Sequence, residues 1–139
     1  MSDNTTNSTF LIKNALLASR LAKRIESRLS VHGISFTEYL IMIYLDHAPK
    51  AIPRIELADY VGLSASGVTR LIIPMEKNKL VEKVVNPRDA RQSMVALSIT
   101  GQKVFKEASV SFEHIANELL VNMSQNQLAK AVEIYTKLL

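Results

Sequence analysis

Cysteine is absent from this chain of 139 residues. That excludes disulfides, thiolate nucleophiles, thiol-based redox sensing and Cys-ligated zinc. No apolar run approaches the roughly 20 residues of a membrane-spanning helix. The opening MSDNTTNST is polar and lacks the basic-then-apolar pattern of a secretion signal. A cytoplasmic location is therefore expected, with no membrane partner. Motifs of catalysis are also missing: the sequence holds no Gly-x-Gly-x-x-Gly, P-loop or nucleophile elbow. Its histidines, His32, His47 and His114, are widely spaced and form no H-x-x-x-H pair. They read as surface or packing side chains, so no metal, no cofactor and no enzymatic activity are expected.

Charge of either sign is modest. The net value is +4, but it is unevenly placed. Residues 50–92 carry eight basic and five acidic side chains, whereas residues 93–139 are neutral. The positive excess thus sits on one segment, and an acidic partner is suggested for it.

That segment contains LADYVGLSASGVTRLIIPM, residues 57–75. Ala58 is small where two helices can cross closely, and Gly62 supplies the positive φ of a tight turn between them. Ser64 is a good N-cap for the second helix. Val68, Leu71, Ile72 and Met75 then recur at helical spacing on one face. The opposite face begins with Ala65, Ser66, Gly67, Thr69 and Arg70, which are small or hydrogen-bonding except for one arginine. A helix entering the major groove needs little bulk, hydroxyls for phosphates and bases, and an arginine able to grip guanine. Ser64, Ala65, Ser66, Gly67, Thr69 and Arg70 are therefore candidate DNA contacts, and Arg54 at the start of the preceding helix joins them. An ordinary helical hairpin in a core is the alternative.

Taken in order, residues 1–8 read as a disordered lead and Thr9 as the cap of a helix to about Ser30. Its basic side chains, Arg20, Lys23, Arg24 and Arg28, read as a solvated face. Ser35-Phe-Thr-Glu38 is a capping box opening a second helix. The body of that helix, YLIMIYL, is apolar nearly all round and belongs in the middle of the domain. Tyr39, Met42, Tyr44 and Leu45 on it are candidates for the wall of a ligand cavity, with plain core packing as the alternative. Ala51 to Pro53 is at most a stub of strand, followed by a third helix, Arg54 to Val61, and a fourth, Ser64 to about Asn78. Pro74 predicts a kink or loosening near Ile73. Val81–Val85 and Met94–Ile99 read as strands, and the stretch between them, with Asn86–Gln92, is too long for a minimal hairpin turn. Thr100 opens a long helix to about Met123, and Ser124-Gln-Asn-Gln127 caps a last one carrying Leu128, Ala131, Val132, Tyr135, Leu138 and Leu139. Those apolar side chains lie far from the small core along a long helix, so a second subunit is the expected cover.

The order of helices, helix-turn-helix, hairpin and terminal helices resembles the MarR family (multiple-antibiotic-resistance regulators) over residues 9–139. Three stretches carry the likeness: LADYVGLSASGVTRLI, MEKNKLVEK, and RDARQSMVALSITGQKVF with an Asp-x-Arg signature at Asp89 and Arg91. The resemblance implies a mainly α fold, a winged helix-turn-helix with a three-helix core, a β-hairpin wing, and N- and C-terminal dimerisation helices. Within a single domain, residues 9–30 and 100–139 are the expected dimerisation helices. Residues 35–99 are the DNA-binding lobe, with the recognition helix at 64–78 and the wing at 81–99. It further implies a homodimer on a pseudo-palindromic operator in double-stranded DNA, commonly a repressor released by a small apolar or phenolic effector. In the wing, Arg88 and Arg91 are candidate groove contacts. Asp89 is expected to order them through an Asx-type turn and a charge-assisted pair. Lys79 stands where the family often has glycine, and Asn78 is expected to take the left-handed conformation in its place. The competing reading is a winged-helix module that binds protein and no DNA. Arg70, Arg88 and Arg91 argue against it, since such a module has no use for arginines there.

Overall fold

The computed structural model describes residues 5–139. Helix α1 spans Thr6–Leu29 and runs through a single 3₁₀ turn, Ser30–His32, into α2, Phe36–His47. A two-residue strand β1, Ile52–Pro53, leads to α3, Arg54–Val61, and α4, Ala65–Lys77. Strands β2, Val81–Asn86, and β3, Asp89–Leu97, form a hairpin, and α5, Ile99–Leu119, and α6, Gln125–Leu138, complete the chain. The sheet order is β1-β3-β2, antiparallel throughout.

α2 is the hub, as its all-round apolar sequence predicts. Its capping box is formed on both sides: Ser35 Oγ accepts from Glu38 N at 3.1 Å, and Glu38 accepts from Ser35 N at 2.8 Å. Ile41 and Met42 are fully buried. Around them close Leu29 of α1, Leu57 of α3, Val68, Ile72 and Met75 of α4, Val95 of β3, and Ala108 and Ile115 of α5. At roughly 1.5–3 kcal/mol per fully buried aliphatic side chain, this cluster is the main source of the lobe's stability. α4 contributes through the i, i+4, i+7 stripe read from the sequence, which leaves its other face free.

Four expectations need correction. The first helix begins at Thr6, because Thr5 rather than Thr9 caps it, its side chain accepting from Ser8 N at 3.1 Å. Residues 6–8 of the expected disordered lead are thus helical, while 1–4 lie outside the described residues. Pro74 does not interrupt α4, which is unbroken to Lys77. The proline is exposed, so water can serve the carbonyl that lost its partner. The third correction concerns the end of α4: Lys79 itself is left-handed, at φ 61, and Asn78 is not, at φ −84. Lys79 N donates to Glu76 O and Leu80 N to Met75 O, both at 2.9 Å, which is a Schellman motif closed by the buried Met75 and Leu80. Leu80 must turn into the core, and that places the reversal one residue later than Asn78.

The fourth correction concerns the wing, whose strands are longer and whose turn is tighter than read. Pro87 and Arg88 alone separate them. Asn86 pairs with Asp89, but Val85 pairs with Ser93, so residues 90–92 bulge from β3. A bulge has no alternating pattern, which is why residues 86–92 look like a loop in the sequence. At the far end β3 stops at Leu97, since Ser98 caps α5 by accepting from Gly101 N at 2.9 Å. Gly101 is buried against the chain after α4; a Cβ there would lie 1.9 Å from the Leu80 carbonyl oxygen.

Candidate nucleic-acid interface

Gly62 ends α3 at φ 70, with Leu63 N donating to Ala58 O at 2.9 Å, and so turns the chain into α4. Ser64 starts α4 by accepting from Gly67 N at 3.1 Å, and its hydroxyl also lies 3.1 Å from that of Ser66. Ala65, Ser66 and Arg70 are exposed, and Gly67 and Thr69 half-exposed. Thr69 donates to Ala65 O at 3.0 Å, which holds its hydroxyl against the helix. Among the described residues Arg70 makes no salt bridge, so its guanidinium is free. The first two turns of α4 thus offer a low surface of hydroxyls and one unpaired cation at the positive end of a helix dipole. That surface can accept an anionic polymer without first breaking an ion pair.

The wing tip offers a second cationic feature. Arg91 is 94% exposed at its side chain and sits in the bulge. Asp89 accepts from Arg91 N at 3.0 Å and faces Arg91 Nε at 3.4 Å, so the Asx-type turn and the directing pair coexist. Arg88 is exposed, and its backbone N–H donates to Asn86 Oδ1 at 3.0 Å. The turn is therefore braced by side chains on both sides, which lowers the entropy lost when it contacts a ligand.

Arg54 is placed differently from the rest of the expected set. Its guanidinium lies 3.0 Å from Glu76 Oε1, with the two side chains 20% and 25% exposed, and its Nε is buried without a partner. This is an internal ion pair rather than a free contact. Glu76 was not singled out by the sequence, and Arg54 is 22 residues away, beyond the reach of any local pattern.

The four cavity candidates do not share one wall. Met42 is fully buried, and Tyr39 packs its ring against Phe105 and Phe112 with centroids 5.5 and 5.0 Å away. Burial is the main cause that raises the Tyr39 phenol above its ordinary value, although its hydroxyl lies 3.0 Å from Ser109 Oγ. Leu45 is buried and borders a shallow recess with Pro49 and Ala96. Tyr44 lies at the α2–α3 surface. Its hydroxyl donates to Glu56 at 2.9 Å, and that bond holds its phenol above the ordinary value.

The histidines are dispersed, His32 beside Ser111 at 2.7 Å and His47 on the Ile43 carbonyl at 2.9 Å. Arg28 pairs with Glu118 of α5 at 2.7 Å on the exposed surface.

A sequence model of the MarR family matches residues 32–92, from the end of the 3₁₀ turn through the wing tip. Over that stretch, less than half of its length, the chain is similar to the MarR family. Two relatives from Bacillus subtilis (strain 168) are named as uncharacterized HTH-type transcriptional regulators. YwaE is 25% identical over 79% of this chain and 64% of its own length, and YhbI 26% over 76% and 68%. The chain therefore spans just under two thirds of YwaE. Among solved structures, a MarR-family regulator from Rhodococcus sp. RHA1 superposes with a TM-score of 0.90 at 12% identity, covering 98% of this chain and 96% of its own. CouR from Rhodococcus jostii RHA1, bound to p-coumaroyl-CoA, gives 0.85 at 11%, covering 98% and 95%. The Mycobacterium tuberculosis regulator MOSR, in complex with DNA, gives 0.76 at 16%, covering 91% and 92%. At these identities the structures establish the fold. The fold is a winged helix-turn-helix, mainly helical with a small antiparallel sheet. Among the described residues no helix is long and apolar enough to cross a membrane.

Proposed function

We propose that the protein is a cytoplasmic, homodimeric transcription repressor that binds a pseudo-palindromic operator and is released by a small apolar or phenolic ligand. It acts by binding and not by catalysis. The observation that carries the reading is the free Arg70 on a low hydroxyl surface, on the same lobe as a braced wing arginine. α4 is to enter the major groove through Ser64, Ala65, Ser66, Gly67, Thr69 and Arg70, and Arg91 and Arg88 the minor groove, with Asp89 aiming Arg91. MOSR, of the same fold, is bound to DNA. In support of dimerisation, Leu11, Leu16 and Leu17 of α1 and Val132, Ile134 and Leu138 of α6 are exposed. CouR, which holds p-coumaroyl-CoA, supports an acyl or phenolic effector.

The test selects a duplex from a random pool and compares it with unselected DNA. Arg70→Ala is expected to cost about 1–3 kcal/mol on the selected duplex and less on random DNA. Selection of no duplex by the wild-type protein overturns the reading. Effector action is tested by titrating phenolic acids and their thioesters into the preformed complex. A ligand releases DNA only by preferring the DNA-incompetent form.

A further inference from the structure

Glu76 occupies an unusual position. It lies in the last turn of α4, yet its carboxylate faces cations from two other elements: Arg54 Nη2 of α3 at 3.0 Å and Lys83 Nζ of β2 at 3.9 Å. One side chain thus links the recognition helix, the helix before it and the first wing strand. The Arg54 end is well shielded, with Arg54 Nε buried and unpartnered. A half-satisfied, shielded guanidinium is costly to leave without its carboxylate. The Lys83 end is the more open one, with that side chain 59% exposed.

From these contacts we infer that Glu76 is a positioning residue for DNA recognition: with Arg54 and Lys83 it locks the wing to the recognition helix. The inference rests on the reading of α4 and the wing as the two DNA-contacting elements. Arg70 in the first half of α4 and Arg91 at the wing tip can satisfy one duplex together only if their spacing is held. A wing free to swing still touches phosphates, but it loses register with the groove that α4 occupies. The clamp therefore acts on discrimination between sequences and leaves sequence-independent affinity largely intact. It also removes Arg54 from the phosphate contacts, because its charge is already engaged.

Three variants test this, of which Lys83→Met removes the exposed cation on the wing strand itself. Glu76→Gln takes away the carboxylate charge. Arg54→Met removes the shielded cation while keeping an apolar stem, so it remains foldable where Glu76→Gln is not. The absence of cysteine allows spin labels to be placed at Ala90→Cys on the wing and Ile73→Cys on the exposed side of α4. Doubly labelled chains are mixed with excess unlabelled chain, so that only distances within one subunit are read. Glu76→Gln and Lys83→Met are expected to broaden the 73–90 distance distribution at a temperature where circular dichroism shows them folded. Affinity for the selected duplex should fall about tenfold, with affinity for random duplex unchanged. An unchanged distance distribution overturns the clamp, whatever DNA does. Equal loss on both duplexes in Arg54→Met, with a shallower salt dependence, would make Arg54 a phosphate contact and also overturns it. If wild-type protein selects no duplex, the DNA reading fails, and the distance measurement still decides whether the clamp exists.

Discussion

The middle of the molecule and its two ends have similar apolar content and opposite fates. In the lobe, Leu29, Ile41, Met42, Leu57, Val68, Ile72, Met75 and Val95 are fully buried, because three helices, a sheet and α5 close around α2. In α6 no residue is buried, and Leu138 is 65% exposed. α1 buries only Ile25 and Leu29, at its lobe end. The far ends meet only lightly, through the Phe10 and Tyr135 rings at 6.2 Å. An amphipathic stripe is thus a request for cover. In the lobe the same chain answers it; at the ends it does not.

This contrast sets the expected size of each perturbation. Ile72→Ala should cost about 2–5 kcal/mol, the same at every protein concentration, since its cavity lies within one subunit. Denaturant melts at two concentrations check that. Leu138→Asp should leave the lobe's unimolecular stability alone but shift sedimentation from dimer to monomer, by putting a charge into the apolar face. A variant of unchanged mass would erase the distinction between the ends and a free surface.

Gly101→Ala comes next, at about 3 kcal/mol, because its Cβ would meet the Leu80 carbonyl at 1.9 Å and backbone cannot step aside as a side chain can. Its control is Gly67→Ala on α4, where the nearest atom is the Ser64 hydroxyl at 3.2 Å. That change should be nearly silent in a thermal melt, and parity between the two would show that the α4–α5 junction is looser than its geometry. The smallest effect concerns the paired helix ends of the lobe. Gly62 closes α3 without strain, whereas Lys79 closes α4 in the same left-handed region. Lys79→Gly should therefore stabilise by about 1 kcal/mol, read as a rise in the denaturant midpoint. A drop would mean that chain entropy lost on folding outweighs the relief of strain.

How much of this was legible depends on the range of each interaction. The helix-turn-helix, its Gly62 turn, the Ser64 cap and the exposed face around Arg70 follow from residues within one or two turns of each other. The Asp89–Arg91 pair spans two positions and was equally readable. Tyr39 and Met42 illustrate the limit: their apolar helix was clear, but the choice between cavity wall and core depended on Phe105 and Phe112 of a distant helix.

By itself, then, the sequence determined where α2, α4 and α6 start, which helix faces are apolar, and which cations stand on the exposed face of α4 and at the wing tip. Capping, periodicity and turn chemistry act over a few residues, so they are written locally. Only the tertiary structure decided that Arg54 belongs to Glu76, that the wing carries a bulge at residues 90–92, that Gly101 admits no side chain, and that Lys79 accepts a left-handed conformation. The Arg54–Glu76 and Gly101–Leu80 contacts join distant chain segments, and the bulge and the Lys79 reversal answer to how the strand and Leu80 pack. Leu80 shows the reason plainly: burying it beside Met75 outweighs the local strain at Lys79, and no local preference records what the core will demand.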